Sequence, residues 1–179
     1  MRRGWLGLWV ALLVFPLAVQ AAPVRIGSKQ FTESVILGEV ARLAARQAGV
    51  MAVHQRELGG TAILWSALQH GDIDAYPEYT GTLIHELLKN VAPDADLQTL
   101  RGALRPLGIG ITDSLGFDDS YAIGMRADHA AQLGIRSLTD LAAHPELSLG
   151  FSNEFMARSD GWPGLRQRYG LPQTQVRGL

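Results

Sequence analysis

Val24-Arg25-Ile26-Gly27-Ser28-Lys29-Gln30-Phe31-Thr32-Glu33 reads as a short strand, a tight loop and the start of a helix. Val24 to Gly27 is the strand. Thr32 is placed to N-cap the helix, with Glu33 in its first turn. Ile36, Val40 and Leu43, with Leu37, Ala41, Ala44 and Ala48, then recur at helical spacing and make an apolar face that Gly49 stops. The unit repeats downstream. Residues 51–58 read as a second strand, Gly59-Gly60 as a turn, and 61–68 as a second helix ended by Gly71. Residues 73–76 read as a third strand. Gly81 or Thr82 opens a third helix running to Leu88, and a fourth spans 97–107. Strand–helix–strand alternation at this spacing argues for a parallel sheet with helices packed on it, so the chain is α/β.

The texture changes beyond Leu107. Residues 109–111 and 121–124 read as extended segments joined by a polar turn. A small helical region, 138–143, is entered through Ser137, and 147–151 is another strand. Residues 162–169 form a short helix opened by Gly161 and Pro163 and ended by Gly170, and 175–179 start a strand. We expect a first α/β lobe over 22–113 and a second, incomplete one over 114–179, with 107–120 as the crossing.

The 179 residues are 47% hydrophobic and 18% charged, which is a globular composition rather than a disordered one. Without cysteine there is no disulfide, no thiolate nucleophile and no lipid-modified N-terminal cysteine. The formal charge of −1 provides no global basic field, so nucleic acid is not an expected partner. At the N-terminus, Arg2 and Arg3 precede an apolar run over 4–19, and Val19-Gln20-Ala21 offers small residues for cleavage. This is the layout of a signal peptide over 1–21. The run is short for a membrane span, which needs about 20 apolar residues. A periplasmic protein that is not a lipoprotein is the expectation.

Enzyme chemistry finds little support. His54, His70, His85, His129 and His144 show no metal-ligand spacing, and there is no P-loop or dinucleotide fingerprint. Gly150-Phe151-Ser152-Asn153-Glu154 lacks the second glycine of a nucleophile elbow. We therefore expect no catalysis, no metal and no cofactor. His85-Glu86 reads as a solvated helix face. Gly59-Gly60-Thr61 has two readings: an anion held on free N–H groups at a helix start, or a turn with an N-cap.

Binding is better served. Lys29 lies at the carboxyl end of a strand, where open α/β sheets hold ligands. Tyr76-Pro77-Glu78-Tyr79-Thr80-Gly81-Thr82 places two phenols, a rigid turn and a hydroxyl between strand and helix. Asp118-Asp119-Ser120-Tyr121 sits on the crossing, and residues 153–164 join polar and aromatic groups in one loop.

These segments together resemble the substrate-binding proteins of osmoprotectant ABC transporters, the glycine betaine/choline group. The stretches that carry the likeness are IGSKQFTES (26–34), ELGGTAILWSAL (57–68), GDIDAYPEYTGT (71–82), DSYAIGM (119–125) and EFMARSDGWPGL (154–165). The resemblance implies a type II periplasmic-binding fold, two α/β lobes closing by a hinge on a ligand in the cleft. It implies box tyrosines at Tyr79 and Tyr121 and a backbone carbonyl from Asp119 for the cation. It implies a carboxylate clamp of Lys29, Thr82 and Arg158. Tyr76 is a further candidate, for which a core role serves equally well. The implied ligand is a small quaternary amine or betaine, such as glycine betaine or choline. The implied partners are the permease subunits in the inner membrane, and a monomer is expected. A trimethylammonium cannot donate an N–H bond, and aromatic faces attract it without requiring one. The family pattern draws further box tyrosines, and the strands that complete the first lobe, from beyond residue 179. The chain therefore reads as C-terminally truncated. The alternatives are a non-functional remnant, or a binder of another amine or amino-acid solute.

Overall fold

The computed structural model describes residues 21–179, so the expected leader lies outside the described residues save for Ala21. Strand β1 (Val24–Gly27) pairs in parallel with β2 (Ala52–Gln55), Val24 against Ala52 through Gly27 against Gln55. Helix α1 (Thr32–Gln47) connects them, and α2 (Thr61–His70) carries the chain back. Gly71 ends α2 in the left-handed region, at φ 72°, where an L side chain is disfavoured.

The expected third strand is reduced to one bridge, Ile26 with Ala75. Its two flanks explain why. Asp74 turns its carboxylate onto Arg25, accepting from the backbone N at 2.7 Å and from the guanidinium at 3.1 and 2.8 Å. Two residues past Ala75, Pro77 has no N–H to offer a ladder. The second strand is likewise shorter than expected, stopping at Gln55, and Glu57 adopts a positive φ of 53°.

Helix α1 starts as expected but buries a different face. Thr32 is its first residue, not its cap: Phe31 holds the N-cap position, with no side-chain capping bond. The buried positions are Ser34 and Gly38. A Cβ at residue 38 would lie 2.5 Å from His54 Nε2, so the missing side chain lets the helix rest on that ring. Ile36 and Val40 are two residues on from these contacts, about 200° around the helix. They stay 57% and 55% exposed, and Leu43 stays 48% exposed.

A first apolar cluster gathers Leu83, Leu88, Leu100 and Leu104, with Trp65 and Ile109 against it. The expected third helix is an α turn, α3 (Thr80–Thr82), followed by a π turn over Leu83–Leu87 that Leu88 N closes onto Leu83 O at 2.8 Å. Next comes α4 (Leu97–Leu104), whose N-cap Asp96 accepts from Thr99 N at 2.8 Å. A 3-10 turn over Arg105–Leu107 continues it. Residues 109–111 and 121–124 form no strand, and neither has a ladder partner among the described residues.

The C-terminal half adds α5 (Ala127–Leu133), which the sequence reading did not separate, and a 3-10 helix over Leu138–Ala143. Ser137 and Asp140 close a capping box at the entrance to the latter. Strand β3 (Leu149–Phe151) pairs in parallel with β4 (Val176–Gly178). Between them lie α6 (Asn153–Ala157), capped by Ser152, and α7 (Trp162–Tyr169), closed by Gly170. Leu141, Phe155, Trp162 and Leu171 are the buried centre of this half. Gln173 is buried beside it, its amide donating to the carbonyls of Leu141 and His144 at 2.7 and 2.9 Å. Among the described residues, no helix is long and apolar enough to cross a membrane.

Two predictions follow the α1 packing. Gly38→Ala drives a methyl into the His54 ring and lowers unfolding stability by about 1–3 kcal/mol. Gly102→Ala, inside α4 with open space around it, raises stability by up to about 1 kcal/mol. Urea denaturation of both variants measures the contrast. The second concerns Glu39, whose carboxyl is drawn down to about 2 chiefly by hydrogen bonds from Arg42, with further help from His54. A folded-state value below the usual 4.5 stabilises the fold in full above that pH, and the contribution is lost as pH falls toward about 2. Thermal melts across that window should flatten in Glu39→Gln relative to the parent chain.

Candidate functional site

The loop after β1 is fixed before any ligand arrives. Ser28 N donates to Gln55 O at 3.0 Å, and Leu58 N donates to Ser28 O at 3.1 Å. Lys29 N donates to Ser34 Oγ at 2.9 Å. Ser28 Oγ meets His54 Nε2 at 2.9 Å, and His54 Nδ1 lies 3.2 Å from Glu39. Serine, histidine and carboxylate thus stand in the order of a hydrolase triad. Ser28, however, is completely buried, so no substrate reaches its hydroxyl. The chain of contacts holds the loop, and it is not legible from the sequence because its members are 11 to 26 residues apart.

That loop presents Lys29. Its Nζ donates to Glu78 Oε1 at 2.7 Å, and the two side chains are 5% and 8% exposed. Glu78 Oε1 also accepts from Tyr79 N at 2.9 Å, while Oε2 is buried with no partner. Tyr79 is the N-cap residue of α3 and donates its hydroxyl to Asp119 Oδ2 at 3.3 Å. Its ring stands edge-on to Phe117, centroids 6.2 Å apart. Burial, then the Asp119 and Glu33 carboxylates, push its phenol well above the ordinary tyrosine range. The Tyr76 hydroxyl is buried without a partner and is pushed up further, by burial first and then by Glu78.

A second group forms around Arg158. Its Nε and Nη2 donate to Asp160 at 2.8 and 2.7 Å, its Nη1 donates to the buried Thr82 hydroxyl at 3.3 Å, and Glu154 Oε1 lies 3.7 Å away. The Asp160 hydrogen bonds raise the guanidinium's pKa against the opposing effect of burial. Tyr121 is 60% exposed, its ring 4.8 Å from Phe155, which in turn packs on Phe151. Thr82 ends the turn that Tyr79 begins, so α3 links the two groups.

Contacts also cross from the N-terminal to the C-terminal half at the start of α2. Thr61 Oγ1 donates to Glu154 Oε1 at 2.5 Å, and a Cβ on Gly60 would lie 2.7 Å from Glu154 Oε2. The helix start meets Glu154 through the Thr61 hydroxyl, and among the described residues no backbone N–H there donates to that carboxylate; Gly60 holds the N-cap position without a side-chain capping bond. His85 is exposed and Glu86 partly so, and Glu86 Oε1 also accepts from Ser159 N at 3.1 Å and Oγ at 2.9 Å. The π turn directs it toward the C-terminal half, a departure that helical spacing does not reveal.

Of the seven residues singled out from sequence, Lys29, Thr82 and Arg158 are buried polar groups, and Tyr79 and Asp119 touch each other. Among the described residues no ring contact joins Tyr79 to Tyr121. Glu78, Glu154 and Asp160, the carboxylates that face the two cations, were missed, although all three lie inside or beside the quoted motifs. A cavity of about 710 Å³ borders Tyr76, Glu78, Tyr79 and Phe117 but not Lys29, Thr82, Tyr121 or Arg158.

Residues 22–178 match the family described as the substrate-binding domain of ABC-type glycine betaine transport systems. The chain is similar to the glycine betaine-binding protein YehZ of Escherichia coli (strain K12), 31% identical over 98% of this chain and 62% of that protein. It is similar to a glycine-betaine-binding protein of Pseudomonas aeruginosa, 28% identical over 87% of this chain and 54% of the relative. It is also similar to the ergothioneine transport permease/ergothioneine binding protein EgtU of Helicobacter pylori, 30% identical over 85% of this chain and 28% of the relative. The chain thus spans less than two thirds of each of these relatives. Among solved structures, the crystal structure of a glycine betaine/carnitine/choline ABC transporter aligns with a TM-score of 0.60 and 27% identity. That alignment covers 87% of this chain and 61% of the other.

Removing one member of the buried Lys29–Glu78 pair exposes the cost of the other. Lys29→Met leaves a buried carboxylate without its cation and destabilises the fold by about 3–5 kcal/mol. The double variant Lys29→Met, Glu78→Gln recovers most of that loss. Chemical denaturation of the two variants checks both.

Proposed function

The chain belongs to the family of substrate-binding domains of ABC-type glycine betaine transport systems, and we propose that it captures a small quaternary-ammonium solute, such as glycine betaine or choline, for an importer's permease. The family is one of binding proteins rather than enzymes. Capture outside the inner membrane follows from the leader read over 1–21, and the lobes expected over 22–113 and 114–179 would supply the two sides of the clamp.

The observation that carries this reading is the turn from Tyr79 to Thr82. Tyr79 opens it with a ring, and Thr82 ends it on Arg158 from the C-terminal half at 3.3 Å. One short turn therefore presents an aromatic face beside a buried polar anchor. The trimethylammonium head lies against Tyr79 and Tyr121, and the polar end of the solute meets the Lys29, Thr82 and Arg158 set. Asp119 holds the Tyr79 hydroxyl and orients the ring. Each cation–ring contact contributes about 0.5–1 kcal/mol when exposed and about 2 kcal/mol when desolvated. Micromolar binding needs about −8 kcal/mol, so two rings do not suffice and the polar contacts are required. Closing the halves removes water and strengthens every one of these terms.

Tyr79→Ala should weaken binding of glycine betaine or choline at least about fivefold, or about 1 kcal/mol, in isothermal titration calorimetry. Tyr79→Phe, which keeps the ring and loses only the hydroxyl, should retain most of the affinity. Unchanged affinity in Tyr79→Ala would remove the residue from the box.

A further inference from the structure

We infer that this cluster selects a small organic cation that carries a hydroxyl or N–H donor, over a zwitterion that brings its own carboxylate. The inference rests on the quaternary-ammonium reading above and sharpens it. Its first basis is charge. Two cations stand in the cluster, and both are already matched. Lys29 Nζ lies 2.7 Å from Glu78, and Arg158 is held by two hydrogen bonds to Asp160 at 2.8 and 2.7 Å, with Glu154 at 3.7 Å. Three carboxylates thus face two cations, before Asp119 on the Tyr79 hydroxyl is counted. A solute carboxylate entering here finds its cationic partners occupied and a negative surplus around it. A solute cation finds the opposite.

The second basis is the hydrogen-bond inventory. Glu78 Oε2 and Glu154 Oε2 are buried with no partner, on side chains 8% and 10% exposed. Both are acceptors only when ionised, and a buried acceptor left empty is unfavourable. A solute O–H or N–H in the cavity that Glu78 borders satisfies Glu78 Oε2, whereas a solute carboxylate oxygen cannot; Glu154 Oε2 lies against Gly60 and contributes its charge. The third unpartnered atom in the cluster, the Tyr76 hydroxyl, can take either role and sits by Glu78.

Choline and glycine betaine isolate the point. They share the trimethylammonium head; one carries a donor hydroxyl and the other a carboxylate. Calorimetric titration of the 179-residue chain with each, its fold checked by circular dichroism, should find choline at least about tenfold tighter, equivalent to about 1.4 kcal/mol. Glu154→Gln keeps the size and removes the charge, so it should narrow the ratio at least threefold, mainly by improving glycine betaine. Glycine betaine binding as well as choline, or better, overturns the selection and leaves the quaternary-ammonium reading standing. Binding of neither by the folded chain overturns both. A ratio unmoved by Glu154→Gln overturns the role given to that carboxylate.

Discussion

The rest of the site depends on an ion pair taken out of water. Lys29 and Glu78 come from loops 49 residues apart and meet at 2.7 Å with almost no exposed surface. Burying two charges is expensive, and their attraction repays the cost only in good geometry with further hydrogen bonds around it. The surrounding contacts provide that geometry. Ser34 and the Ser28–His54–Glu39 chain fix the lysine loop, and Tyr79 N fixes the carboxylate. Because Glu78 is held, the backbone of Tyr79 is held, and with it the first residue of the turn that ends at Thr82 and Arg158. A charge pair at the foot of the site therefore sets the position of a ring and a hydroxyl several residues away.

Much of the α/β pattern was legible in the sequence, and its failures share a cause. Strand β1, helices α1 and α2, the 97–107 helical region and the Ser137 entrance follow from periodicity and capping residues, which are local signals. The third strand and the segments 109–111 and 121–124 failed because a strand is defined by a neighbour, which local signals do not report. Helix α1 failed differently. Its period was read correctly and its face was not, because Gly38 packing on His54 decided which side turned inward. A glycine contact carries no hydrophobic weight, so a hydrophobic pattern cannot find it.

The site was legible as motifs but not as charges. Lys29 and Arg158 were visible as basic residues in unusual loops, and their roles came from resemblance. What the sequence could not show is that Glu78, Asp160 and Glu154 stand against them. Asp160 and Glu154 lie two and four residues from Arg158, inside a motif already quoted, yet pairing depends on rotamers and on the break between α6 and α7. The Tyr79–Asp119 contact, which spans 40 residues, is a tertiary fact of the same kind.

Gly60 has a further consequence. Glu154 Oε2 lies 2.7 Å from where a Cβ on Gly60 would stand, so the two halves meet with a carboxylate set against bare backbone. An added side chain at residue 60 would displace the Glu154 carboxylate and with it the Thr61–Glu154 bond. Packed interfaces of this kind switch between discrete arrangements rather than deform continuously.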